Sequence, residues 1–297
     1  MIRQDDRGMI LVNVLMFVAI AAGVVLLLID REELALDRSL RVREAARAAA
    51  VVRGGEVSAL VALRRDARTA PDTDNSGEPW AALAENDAPI AGGRFDLAIA
   101  DAESRFNINL LRSGNAAPAI LFQEAARIAG FDADTTVRAI ELVRLYGPFT
   151  DLRPLRLAGL DAEATARLEA LVTALPGETA INLNAATPAV MEVLFRDRVV
   201  ADRLVAVRAR QGFLTIKDLG DQNVTMPPGT SFNSNTFWVR TRARIGDTVQ
   251  QGATLIQRSI DDQGRRHVVP VERWLNAAIP PDAPPFGQTD PRGDRNG

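Results

Sequence analysis

The chain of 297 residues contains no cysteine, which removes disulfides, thiol nucleophiles and thiolate metal sites together. It contains one histidine, His267, so every triad or zinc set that needs a second histidine is excluded. His267 sits in the run Arg265-Arg266-His267-Val268-Val269, which alternates like a strand end, and it reads as a surface residue. Lysine is nearly missing too: Lys217 stands alone, and the remaining positive charge is arginine interleaved with acids. With a formal net charge of −3 there is no global electrostatic case for nucleic acid. No phosphate loop and no nucleophile beside a base is evident, and carboxylates such as Asp132, Asp134 and Glu141 occupy solvated helix positions. The expectation is a protein that is not an enzyme, long enough for one or two domains.

What is present begins at the N-terminus. Residues 1–8 are polar, and Met9 to Ile29 then runs almost unbroken through apolar residues to Asp30-Arg31-Glu32-Glu33. Roughly 20 helical residues cross the hydrocarbon core of a bilayer, so 9–29 is predicted to span a membrane. No A-x-A-like site follows, as a secretory signal peptide would require. Arg3 and Arg7 before the run and acids after it favour a cytoplasmic N-terminus with the bulk of the chain periplasmic. Leu34, Leu36, Leu40, Val42, Ala45, Ala49, Val52, Leu60 and Leu63 continue at helical spacing to about Arg65 without a proline, and Gly54-Gly55 is the weak point. Such a helix would be about 85 Å long, which few soluble domains need.

The junction Arg7-Gly8-Met9 against the apolar run resembles the signal of type IV pilins and type II secretion pseudopilins. That resemblance implies that a prepilin peptidase cuts between Gly8 and Met9, methylates the new amine and leaves the helix in the mature chain. Most members of the family carry glutamate at the fifth mature position, where this chain has Asn13. A neutral asparagine cannot pair with a neighbouring subunit's amine as a carboxylate can. Loss of that glutamate, together with an E-x-W element at Glu78-Pro79-Trp80, resembles the K-type minor pseudopilin.

Past the helix, Asp72-x-Asp74-x-Ser76-Gly77-Glu78 has the spacing of the first half of a calcium loop, although Leu83 stands where such a loop ends in glutamate. Asp72, Asp74, Ser76 and Glu78 are therefore calcium candidates, beside the plainer reading of a turn-rich linker. Arg94 to Asp101 alternates as a half-buried strand with Phe95, Leu97 and Ile99 on one face. Pro118 to Leu175 is helical with breaks at Gly130 and Gly147-Pro148, and Val190 to Arg210 is helical again. Asn235–Ile245, Thr248–Ile260 and Arg266–Val271 read as a three-stranded meander. The segment from Pro280 is proline-rich and polar, and it is predicted to be disordered.

The helical block carries a weak duplication. Asn107-Ile108-Asn109 resembles Asn182-Leu183-Asn184, and Arg144 to Leu155 aligns with Arg208 to Leu219, pairing Phe149 with Phe213. Asparagines of this kind cap helices, Thr187-Pro188 offers a further cap, and each phenylalanine is expected to plug a seam between helices. The pattern also resembles helix-hairpin-helix modules that bind DNA, yet Leu194 to Val200, where their hairpin would lie, contains no glycine.

The predicted fold is α+β: a pilin-like long N-terminal helix and antiparallel sheet with an inserted all-α domain of two helix-hairpin-helix or SAM-like repeats. Its parts are a cleaved leader at 1–8, the spanning helix at 9–29 and the periplasmic helix at 30–68. The sheet takes 69–104 and 233–279, the inserted domain 105–232, and the disordered tail 280–297. The resemblance implies a minor pseudopilin at the tip of a type II secretion pseudopilus in the bacterial inner membrane. Its implied partners are the I- and J-type minor pseudopilins, the prepilin peptidase and the inner-membrane secretion platform, with no nucleic acid. A membrane-tethered DNA-binding protein and a type IV pilus minor pilin are the alternatives.

Overall fold

The computed structural model describes residues 4–69 and 72–287, with side chains described from Leu11 onward. Helix α1 (Gln4–Thr69) is continuous through Gly54-Gly55 and extends slightly past the predicted end. Its membrane-distal part buries Ala48, Val52, Ala59, Leu63 and Ala67, with Gly55 in the same stripe, at intervals of three and four residues. Because this stripe is mostly small residues, the helix lies close against a sheet.

The other elements follow as β1 (Glu85–Ile90), β2 (Gly93–Asp101), β3 (Phe106–Asn107), α2 (Ala116–Ile128), α3 (Ala133–Tyr146), α4 (Ala162–Glu169), β4 (Val172–Thr173) and β5 (Ile181–Asn182). Then come α5 (Pro188–Phe195), α6 (Arg198–Gln211), α7 (Ile216–Asp221), β6 (Thr230–Ser231), β7 (Thr236–Ile245), β8 (Thr248–Ile260) and β9 (Arg266–Leu275). The main sheet is antiparallel in the order β1-β2-β7-β8-β9. Period-2 alternation sends Phe237, Val239, Ala243 and Ile245 of β7 toward α1 and turns Trp238 to the other face.

Strands β2 and β7 are direct neighbours, pairing from Gly93↔Ile245 to Asp101↔Phe237. Everything between them is therefore inserted at one point of a hairpin, and Ala102 N–H donates to Thr236 O at 3.0 Å where the chain leaves and returns. The insertion has its own core, running from Phe106 to Leu219 and including Phe122, Leu155, Leu168 and Met191. The predicted insertion is thus present, with the sheet strands setting its limits at Asp101 and Thr236 rather than at 105 and 232.

Several sequence expectations need correction. Strand β1 was not foreseen: Glu-Asn-Asp-Ala-Pro-Ile has no hydrophobic alternation, and it is an edge strand, where proline is tolerated. β9 runs on to Leu275 rather than ending at Val271. A bulge there lets Glu272 face Leu255 while Pro270 faces Ile256, so the strand continues past its proline. The helical stretch at 190–210 is two helices, broken at Arg196 (φ +51°) and restarted by Asp197, whose Oδ1 accepts from Val199 N–H and Val200 N–H.

The tail also differs from expectation. Residues 280–287 pack on the sheet face opposite α1, and 288–297 lie outside the described residues. Ala283 is buried with Trp238 and Leu255, and Phe286 lies under the guanidinium groups of Arg240 and Arg242 at 4.8 and 4.5 Å. A proline-rich composition removed this segment from regular structure, but side-chain contacts hold it as a strap.

Candidate functional site: the anchor helix and its junction with the inserted domain

Among the described residues, one helix is long and apolar enough to cross a membrane, and its apolar stretch has no protein packed on it. Leu11, Phe17, Ile20, Leu26 and Ile29 are all exposed, which in water would be unfavourable and in lipid is not. Asn13 lies in this bare segment and is exposed. Gly8 and Met9 fall within the backbone span of α1, and their side chains are outside the described residues.

The sheet runs alongside α1 in a fixed sense. Near the β7–β8 turn, Thr248 Oγ1 donates to Glu44 at 3.1 Å; midway, Thr254 Oγ1 donates to Glu56 at 2.9 Å, and Arg273 pairs with Glu56. At the opposite end of β8, Arg258 reaches Asp66 in the last turns of α1. The insertion point at Asp101 and Thr236 therefore lies at the end of α1 remote from the anchor.

A buried polar hub holds that end together. Arg258 Nη1 pairs with Asp74 Oδ1 at 2.7 Å, Nη2 pairs with Asp66, and the guanidinium lies over the Phe237 ring at 4.4 Å. The other oxygen of Asp74 accepts Ser234 N–H at 2.9 Å. Asn182 Nδ2 lies within hydrogen-bonding distance of Asp74 O, Asp101 Oδ2 and Ser234 Oγ. One network thus links α1, the loop after it, the end of β2 and the second copy of the internal repeat.

Burial raises several acids here. The Asp101 carboxyl is pushed up to about 6, and that of Glu103, one of whose oxygens has no hydrogen-bond partner, to about 8. Glu78 is pushed to about 7 by burial, while Asn75 N–H and Trp80 Nε1–H donate to it. The E-x-W element is therefore a structural latch: Glu78 orients Trp80, which is buried edge-on to Phe237 with ring centroids 5.1 Å apart.

The calcium candidates differ in their surroundings. Asp72 and Ser76 are exposed, whereas Asp74 and Glu78 come together with Asp66, their carboxylate oxygens within 4.8 Å of one another. Two of these three carboxylates already hold Arg258. Sequence reasoning missed Asp66 and Arg258. The available signal was register: Arg258 shares the α1-facing side of β8 with Thr254 and Ile256, where an arginine is out of place unless paired.

The duplication is structural. Each copy is closed by a two-residue parallel pair containing its first asparagine: β3 with β4, and β5 with β6. Asn107 and Asn182 each accept the N–H two residues on, at 3.1 and 2.9 Å. The second asparagines do not start helices as expected; they clamp a distant loop. Asn109 brackets Phe149, accepting from its N–H at 2.8 Å and donating to its carbonyl at 2.9 Å. Arg144 donates to Leu111 O and Arg208 to Ala186 O, each acceptor two residues past the second asparagine.

The phenylalanine plugs hold in one copy only. Phe149 is buried, whereas Phe213 is 39% exposed and Leu214 takes its place. The second copy slips by one residue because Asn184 clamps Leu214. The amides opening α6, which a phosphate would use in a helix-hairpin-helix module, are taken by the Asp197 carboxylate.

No family model matches the chain. It is 29% identical to type II secretion system protein K of Pseudomonas aeruginosa strain PAO1, over 89% of this chain and 92% of that protein. It is 24% identical to type II secretion system protein K of Pectobacterium carotovorum subsp. carotovorum, over 83% of this chain and 90% of that one. In fold it matches a chain of the GspK-GspI-GspJ complex from enterotoxigenic Escherichia coli, with a TM-score of 0.61 at 19% identity, covering 80% of this chain and 99% of that one. Sequence likeness along nearly the whole chain and the shared fold bear out the resemblance to the K-type minor pseudopilins of type II secretion that was read from the residues.

Proposed function

We propose that the chain caps the tip of a type II secretion pseudopilus, where it assembles with I- and J-type minor pseudopilins for export across the outer membrane. One observation carries this reading: the inserted domain joins the sheet between Asp101 and Thr236, at the end of α1 farthest from the anchor. A bulky domain there obstructs the stacking of another pilin-like subunit above it. Asn13 lacks the charge for the usual contact with a neighbour's amine, which an end position tolerates.

The apolar face left bare on α1, with Leu36, Leu40, Val42, Val57 and Val61 exposed, supports lateral packing against partner helices. The GspK chain in the solved complex is found with GspI and GspJ, and the fold likeness supports the same partner class here. In this reading the anchor spans the bacterial inner membrane with its N-terminus cytoplasmic. The prepilin peptidase cuts between Gly8 and Met9, and the inner-membrane secretion platform receives the mature chain. Cation chemistry is no part of the proposed role, which is mechanical rather than enzymatic.

The test is the intact mass and N-terminal sequence of the full chain, expressed with and without the peptidase. A mature chain beginning at N-methylated Met9, and co-purification with I- and J-type partners, is expected. A chain left uncut by an active peptidase, or one that ignores both partners, would overturn the reading.

A further inference from the structure

The loop after α1 has the acidic spacing of a cation-binding loop, yet a guanidinium stands among the carboxylates it brings together. Arg258 lies in β8, far from that loop in sequence, and its side chain is 11% exposed. Its two terminal nitrogens divide between Asp74 and Asp66, and its flat face rests on Phe237. We propose that Arg258 is the resident cation of this junction, bridging the carboxylates that a divalent ion would need, so that the chain closes its acidic cluster without calcium.

Three observations carry the proposal. The first is geometric: calcium takes its oxygens at about 2.3–2.6 Å, so an ion held by both Asp66 and Asp74 would compete for the carboxylate oxygens that the guanidinium already bridges. Two cations cannot share them without strong repulsion.

The second is the commitment of the remaining oxygens. Asp74 Oδ2 accepts Ser234 N–H at 2.9 Å, and Glu78 Oε1 accepts from Asn75 Nδ2 at 3.0 Å. Glu78 Oε2 accepts Trp80 Nε1–H at 2.8 Å. Calcium wants six to eight oxygens, and these are already turned to protein donors.

The third is anchorage. The Phe237 ring and two carboxylates fix the planar guanidinium from three directions, a geometry that suits arginine better than lysine. This proposal does not depend on the tip assignment, because it concerns how the chain holds itself together.

The experiment is thermal unfolding of the full chain in detergent micelles, in EDTA and in millimolar CaCl2, for wild type, R258Q, R258K and D74N. The wild-type midpoint is expected to agree between the two conditions to within about 1 °C. R258Q is expected to unfold at least about 5 °C lower in EDTA and to recover half or more of the loss in CaCl2, but not in NaCl of equal ionic strength. R258K, which keeps the charge, should stay indifferent to calcium.

A calcium-dependent rise in the wild type that D74N abolishes would overturn the proposal. So would an R258Q loss that calcium leaves unchanged. A wild-type rise that persists in D74N arises elsewhere in the chain and leaves the junction calcium-independent, as proposed. Where R258Q does not fold, wild type and R258K decide: indifference of both supports the proposal, and a calcium rise in R258K overturns it.

Discussion

Asn184 holds Leu214 by both ends of its backbone: Oδ1 accepts the Leu214 N–H at 2.5 Å, and Nδ2 donates to the Leu214 carbonyl at 3.3 Å. Leu214 is fully buried and Asn184 nearly so, so truncating the amide strands a buried donor and a buried acceptor together. N184A is expected to destabilise the inserted domain by about 2–4 kcal/mol, and N109A, which frees Phe149, by a similar amount. Urea unfolding followed by amide exchange at Leu214 and Phe149 measures this. A loss below about 0.5 kcal/mol would mean that neither clamp matters.

Neighbouring glycines in α1 should respond in opposite directions. A Cβ at Gly55 would lie 2.7 Å from Phe95 Cζ and from Thr241 Cγ2, whereas a Cβ at Gly54 meets nothing within 4 Å. G55A should therefore cost about 1–3 kcal/mol through overpacking against the sheet. G54A should stabilise by up to about 1 kcal/mol through helix propensity. Equal effects in a denaturation series would contradict the close approach described for α1 and the sheet.

Stability should fall as pH rises through the near-neutral range. Burial raises the folded carboxyl of Glu103 from 4.5 to about 8, so between these values the folded chain holds a proton that the unfolded chain releases. The folded state then binds more protons, and unfolding becomes easier with increasing pH until the slope ends above about pH 8. Asp101 and Glu78 add to the slope at lower pH, with values of about 6 and 7. The expected loss is on the order of 1–3 kcal/mol between pH 5 and 8. E103Q should flatten the upper part of a melting-temperature profile, and an unchanged profile would remove Glu103 as its source.

The strap at 280–287 should tie the inserted domain to the sheet. Asp282 pairs with Arg105 at 3.2 Å and accepts from Thr173 Oγ1 at 2.7 Å, both within the insertion, while Phe286 sits on sheet arginines. D282A with F286A is expected to lower stability by about 1–3 kcal/mol and to speed amide exchange near Arg105 and Thr173 more than in α1. Uniform exchange changes across the chain would argue for a general loss of stability instead.

Much of this protein is legible without coordinates because its strongest signals are local and periodic. An unbroken apolar run followed by helical spacing without proline defines α1, and period-2 alternation defines β2, β7 and β8. The order of strand, helical block and strands implies an insertion, and the paired asparagines expose its duplication. Edge strand β1 escaped notice because an edge needs no buried face. The strap escaped because it is held by Arg240, Arg242 and Arg105, each remote in sequence.

The same division separates the two halves of the junction. By itself the sequence determined that acids cluster after α1 and that a Glu-x-Trp element follows, since these are near neighbours along the chain. Only the tertiary structure decided that Arg258 from β8 and Asp66 from α1 close around Asp74, and that Asn182 of the inserted domain completes the hub. Local patterning fixes which surfaces must be buried. Which charges meet inside depends on strand register and on where one hairpin opens to admit a domain, and neither quantity is encoded in any short stretch of residues.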